Sequence, residues 1–320
     1  MRKKLHAGLL AAVAAAVLLA QPLPGPLAQA NADLQTGEAD EALRLLNSLP
    51  PSAEAHNLRC RVLFSVERWN DAAAECAQAV AMDTQNSNDH MWLGRALGEK
   101  ADRASFMSAF SLGGQVRNEF EQAVRLDPRN APALADLGEF YYEAPGILGG
   151  GSDKAEAIAA QLDKVDPARA DELRGRIAEK HHDYATAERE LKQAIAVSEH
   201  PAFQWMILSS FYTRRNRWTD MDAAVQNGLK AAQGDDSANV SLFNAASMLN
   251  RCNRNLELAA RLFQEYLAGS PKTEEAPAFT AHTRLAQIEA RLGNVDDARR
   301  ERAAALGLAH DYQPALALKF

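Results

Sequence analysis

The chain has 320 residues, 47% of them hydrophobic and 24% charged, which is a globular composition rather than a disordered one. Its 35 basic and 42 acidic side chains give a formal charge of −7, which argues against the basic footprint that nucleic acid demands. Beyond the first 30 residues, no apolar run approaches the roughly 20 residues that a membrane-spanning helix needs.

Residues 1–30 read as a signal peptide. Arg2, Lys3 and Lys4 precede an apolar run from Ala7 to Ala20, and Ala28-Gln29-Ala30 forms an A-x-A cleavage pattern. The run is short for an anchor, and Pro22, Pro24 and Pro26 follow it. Cleavage near Ala30 removes three of the 35 basic residues and no acidic one, leaving 32 against 42 and a charge of −10. The mature protein is then expected in the periplasm or outside the cell, with no cysteine beside the cleavage site to accept a lipid.

From Asn31 to Pro51 the pattern is a short helix pair that turns at Gly37, its second helix carrying the stripe Ala42, Leu45, Leu46 and Leu49. The stretch from Phe120 to Gly138 shows how later units join. Phe120 and Ala123 share one helix face, Asp127-Pro128 stops that helix, and Leu134, Leu137 and Gly138 open the next apolar stripe. Related places recur along the chain. Cys60 is followed by Ala72 and Cys76, Leu93 and Gly94 by Val116 and Phe120, and Leu137, Gly138 and Tyr141 by Ala155 and Ala159. Ala187 and Leu191 follow, then Trp205, Leu208, Ser209 and Tyr212, then Ala259, Phe263 and Pro271, and finally Leu285 and Ala286.

This recurrence resembles the tetratricopeptide repeat, a helix pair of about 34 residues with the pattern W-x2-L-G-x2-Y, A-x3-F and P. Cys60 stands in its glycine place and Ala72 and Cys76 in its A-x3-F places, while Thr84 replaces the proline. The resemblance implies an all-α, right-handed solenoid of about eight helix pairs over residues 31–310. Insertions fall near 101–114 and 144–151, and a tail at 311–320 should be frayed. It also implies a non-enzymatic scaffold or adaptor that binds an unnamed protein or peptide in a concave groove. In such a stack each unit touches only its neighbours, so the terminal units should exchange amide hydrogens fastest.

Chemistry-bearing signals are sparse. Gly149-Gly150-Gly151 precedes a helix start but lacks the Walker spacing, so it reads as a widened turn with Ser152 or Asp153 as N-cap. His181-His182-Asp183 reads as an exposed turn rather than a metal site, since adjacent helical residues point apart. No nucleophile elbow or zinc-protease motif is present, and no catalytic residue, metal or cofactor is expected. In the 101–114 insertion, Phe106, Met107, Phe110 and Leu112 are too apolar for an ordinary loop and either extend the core or fold onto the concave face. The alternative makes the protein an envelope assembly or trafficking factor that contacts membrane or cell wall through this insertion. Counting outward from the turn near Glu67 sets Cys60 opposite Ala72, with Cys76 a turn further on, so all three cysteines are expected to be free thiols.

In the resembled family the first helix of each unit lines the groove. The residue after the glycine place and the one four before it should therefore point inward together. This pairs Asn57 with Arg61, Met91 with Arg95, Ala135 with Glu139, Glu172 with Arg176, and Met206 with Ser210. One turn beyond lie Phe64, Tyr142 and Thr213. The expected partner-binding residues are Asn57, Arg61, Phe64, Met91, Arg95, Glu139, Tyr142 and Arg176. Arg61 and Arg95 hold equivalent places and suggest a carboxylate clamp, unless Glu139 and Glu172 pair with the arginines.

Overall fold

The computed structural model describes residues 25–235, 238–269 and 272–320. Most of the expected leader, and Pro271, lie outside the described residues. Among the described residues all regular structure is helical, in antiparallel pairs that follow one another along the chain. The pairs are α1 (Pro26–Thr36) with α2 (Ala39–Asn47), α3 (Ala53–Ser65) with α4 (Trp69–Met82), and α5 (Ser87–Asp102) with α6 (Phe106–Leu126). Next come α7 (Ala131–Glu143) with α8 (Ser152–Leu162), α9 (Pro167–Lys180) with α10 (Tyr184–Val197), and α11 (Pro201–Arg214) with α12 (Trp218–Ala231). Then α13 (Asn239–Arg251) pairs with α14 (Leu256–Ala268), α15 (Ala278–Leu292) with α16 (Val295–Leu308), and a short α17 (Gln313–Leu316) ends the series. The first helix carries Ala28-Gln29-Ala30 inside it, with Ala30 fully buried.

The turns inside the pairs have a common device. Gly37, Glu67, His182, Asn216 and Gly293 each sit two residues before a second helix, with φ between 56 and 87°. One residue in the left-handed region ends the first helix and reverses the chain; in L-residues this costs about 1 kcal/mol or more, which the packed pair offsets. Side-chain caps then fix several helix starts. Ser52 accepts from the Ala55 amide, Asn130 from Ala133, Asp166 from Arg169 and Asp183 from Thr186. His182 and Asp183 therefore form a turn and a cap, as expected. At the glycine run the cap falls on Gly151 instead, and neither Ser152 nor Asp153 makes a capping bond.

In the third and fifth pairs the two helices come into close contact at the glycine place. A Cβ on Gly94 would stand 2.5 Å from the Phe120 ring, and one on Gly175 would stand 2.9 Å from Leu191. Cys60 and Cys76 occupy the same two places, and they form a disulfide with Cα atoms 5.2 Å apart. The expectation of three free thiols is corrected: only Cys252 is free. Counting from the turn misjudged the stagger, whereas a unit without an insertion sets the glycine place against the residue 16 positions later, as Gly175 stands against Leu191.

The first insertion is not a loop. It lengthens the third pair to helices of 16 and 21 residues, so that their tip projects beyond the neighbouring units. At that tip Phe106 and Met107 are 83% and 78% exposed, while Gly113 is buried against Leu148 of the second insertion. Phe106, Met107 and Phe110 thus stay exposed, whereas Leu112 packs against the core and Ala109 and Gly113 of the same insertion line the concave side.

The stack curves until its end meets its beginning. Phe279, Ala305, Ala309, Tyr312 and Ala315 share one buried cluster with Leu34, Leu46, Leu58 and Val62. Gly37 lies so close to Ala278 that a Cβ would stand 2.5 Å from the Ala278 amide nitrogen, so only glycine fits there. Arg61 pairs with Glu274, Arg68 with Asp311, and Asp40 accepts from both the backbone amide and the ring of His310. The residues after His310 are therefore docked rather than frayed: Tyr312 is buried edge-on to Phe279, and Arg302 donates to the Ala315 carbonyl.

Candidate functional site

Closure of the stack leaves a half-open cavity of about 1010 Å³ on the concave face. First helices supply most of its wall, with Arg61 and Phe64 from α3, Trp92 and Arg95 from α5, Asp136 and Glu139 from α7, and Phe203 and Asn244 from the opposite side. Four of the eight predicted groove residues, Arg61, Phe64, Arg95 and Glu139, are in this wall. Phe64 meets Trp92 edge-on at 5.5 Å, and the guanidinium groups of Arg61 and Arg95 lie 5.6 and 4.7 Å from the Trp92 ring.

Both arginines are neutralised within the chain. Arg61 reaches Glu274 at 2.7 Å and Arg95 reaches Asp136 at 2.5 Å. Burial raises the pKa of Glu274 and of Asp136, and the facing arginine opposes that rise in each case. The partners differ from the Glu139 and Glu172 considered from sequence. Those two serve Arg176, at 3.6 and 3.1 Å, and Arg176 also donates to the Tyr142 hydroxyl. Burial pushes the Tyr142 phenol up to about 12, aided by its bond to Glu143, and burial likewise raises Glu139.

Asn57, Met91, Tyr142 and Arg176 are not in the cavity wall. Asn57 donates to Asp89 at 2.7 Å, bridging α3 and α5, and Met91 is buried in the core cluster of these units. Sequence reasoning missed Trp92, Asp136 and Glu274. Trp92 adjoins a named residue, and Asp136 lies three residues before Glu139, so a wider helical face would have included both. Glu274 lies 213 residues from Arg61, and only closure of the stack brings it there. The walls thus combine ion pairs, aromatic faces and small residues with further acids at Glu99, Asp102, Glu143 and Glu275, an arrangement suited to holding an extended segment.

The chain matches no family model, and no curated protein matches it. Among solved structures it is similar to a tetratricopeptide-repeat protein from Thermus thermophilus, with 20% identity, 59% of this chain and 97% of that chain covered, and a TM-score of 0.50. It is also similar to a tetratricopeptide-repeat protein from Parabacteroides merdae, with 12% identity, 82% and 97% coverage, and a TM-score of 0.47. At these identities the first likeness speaks for the fold alone.

Proposed function

From the premise that the chain is a tetratricopeptide-repeat solenoid, we propose that it is a non-enzymatic scaffold of the bacterial cell envelope that holds an extended segment of a partner protein against its concave face. The observation that carries this reading is the cavity of about 1010 Å³ built from first helices, with aromatic and ion-paired walls. Solenoids of this kind use their concave surfaces for binding, and local residues decide what is bound. Two features support an extracytoplasmic location: the leader pattern over residues 1–30 and the Cys60–Cys76 disulfide, since such bonds persist in oxidising compartments. The test is site-directed photocrosslinking in the native host. A crosslinker replacing Phe203 in the cavity wall should trap a discrete partner, and one replacing the exposed Arg299 on α16 should not. Equal trapping from both positions would move binding off the concave face.

The exposed Phe106, Met107 and Phe110 favour a second reading, contact with membrane or cell wall through the projecting tip of the third pair. Liposome flotation separates it from the first, because only the second predicts binding that Phe106→Ser with Met107→Ser removes.

A further inference from the structure

Beside the large cavity, and joined to it through Phe203 and Asn244, lies a second pocket of about 470 Å³ between α11, α13 and α15. Its wall contains Arg251, Arg284 and Arg291 and no carboxylate. This contrasts with the first cavity, where Arg61 and Arg95 each have an acid, and with the acidic charge of the chain as a whole. Among the described residues no carboxylate forms an ion pair with these three arginines, although Glu67 acts on Arg284 from further off. Arg284 donates to the Ser247 hydroxyl and lies 4.8 Å from the Phe243 ring. Arg291 donates to the backbone and side-chain oxygens of Asn250, and Arg251 reaches the Met248 sulfur at 3.9 Å. A guanidinium carries five N–H donors, and one nitrogen of each is engaged in these bonds. Burial first, and Arg251 nearby, depress the Arg284 pKa against the raising effect of Tyr312 and Glu67, so this charge is only partly compensated and a bound anion would relieve the cost.

The repeat gives these charges a spacing. Arg251 and Arg291 each follow the small residue of their first helix, Ala246 or Ala286, by five positions, and so stand in a row along consecutive units. Arg214 holds the same place one unit earlier, where Glu179 already pairs with it at 2.7 Å. Adjacent packed helices are about 8–10 Å apart. An extended chain advances about 3.3 Å per residue, so side chains two or three residues apart span about 7–10 Å. Such a strand could meet the arginines one after another, and the continuity of this pocket with the large cavity through Phe203 and Asn244 favours an extended segment over one small anion.

We infer that the pocket between α11, α13 and α15 is the specificity site of the scaffold and takes a segment of the partner carrying two or more carboxylates at this spacing, with Arg251, Arg284 and Arg291 as its ligands. This inference rests on the scaffold reading and names the chemistry of its partner. The test is fluorescence anisotropy of the purified chain with labelled hexaglutamate, against inorganic phosphate as competitor. The wild-type chain should bind the peptide with an affinity that falls as salt rises. Arg251→Ala with Arg291→Ala, two exposed helical positions, should weaken binding by about tenfold or more through loss of charge-assisted contacts, with helicity unchanged. Phosphate should compete only at much higher concentration. Absence of peptide binding, equal affinity in the double variant, or phosphate binding as tight as the peptide would each overturn the inference. Partner trapping through Phe203 with no hexaglutamate binding would leave the scaffold standing and remove its acidic specificity. Hexaglutamate binding lost in the double variant, with no trapping in the host, would do the reverse.

Discussion

Asp89 shows how a single side chain couples the units to pH. It is 2% exposed, accepts from Asn57 through one oxygen, and leaves its other oxygen without a partner. Burial raises its pKa to about 6, against the Asn57 bond, which lowers it. The folded state therefore holds this proton more tightly than the unfolded chain, whose carboxyl titrates at ~3.9. Protonated Asp89 contributes stability at low pH, and that contribution is lost as pH rises through about 6. Asp89→Asn should be more stable than the wild type at pH 7, with an advantage that narrows as pH falls from 7 to 4.5. Urea denaturation at several pH values checks this; a constant difference would remove Asp89 as the titrating group. The cysteines make a second prediction at this scale. Alkylation of the denatured, unreduced chain should label Cys252 alone, and reduction should lower stability by about 3 kcal/mol for a loop of this length.

Helix pairs were the most legible elements, because each keeps a small residue where its helices touch. At Gly94 the contact is with an aromatic ring, and Gly94→Ala should cost about 1–3 kcal/mol by overpacking Phe120. Gly98, one turn away with open space around it, is the control, and Gly98→Ala should be neutral or stabilising in thermal denaturation. The same register contained the disulfide: Cys60 and Cys76 stand where Gly94 meets Phe120 and where Gly175 meets Leu191. Reading the pair against its sister units gives the bond, whereas counting residues from the turn does not. The third pair was harder to read. Phe106, Met107 and Phe110 are apolar residues that continue a helix into solvent, and hydropathy alone assigns such residues to a core.

At the scale of the whole molecule, closure is what the sequence concealed. A solenoid's local pattern fixes how one unit sits on the next, but the small rotation per unit, summed over eight pairs, decides whether the ends meet. Arg61 was placed on the concave face from its repeat position, and its partner Glu274 belongs to the far end of the stack. Closure also reverses the expectation that terminal units exchange fastest. Tyr312 and Phe279 bury themselves against α1 to α3, so the first and last units protect each other as inner neighbours do. Amide exchange in α1 to α3 should therefore be as slow as in central helices such as α9. Truncation after His310 removes Tyr312, Ala315 and the docking of Asp311 on Arg68, and should speed exchange in α1 to α3, more than 200 residues away in sequence, while α9 and α10 stay unchanged. It should also enlarge the radius of gyration in solution scattering as the ends part. Exchange that quickens only in α15 and α16 would mean that the ends touch without supporting each other, and the cavity would then be an open groove.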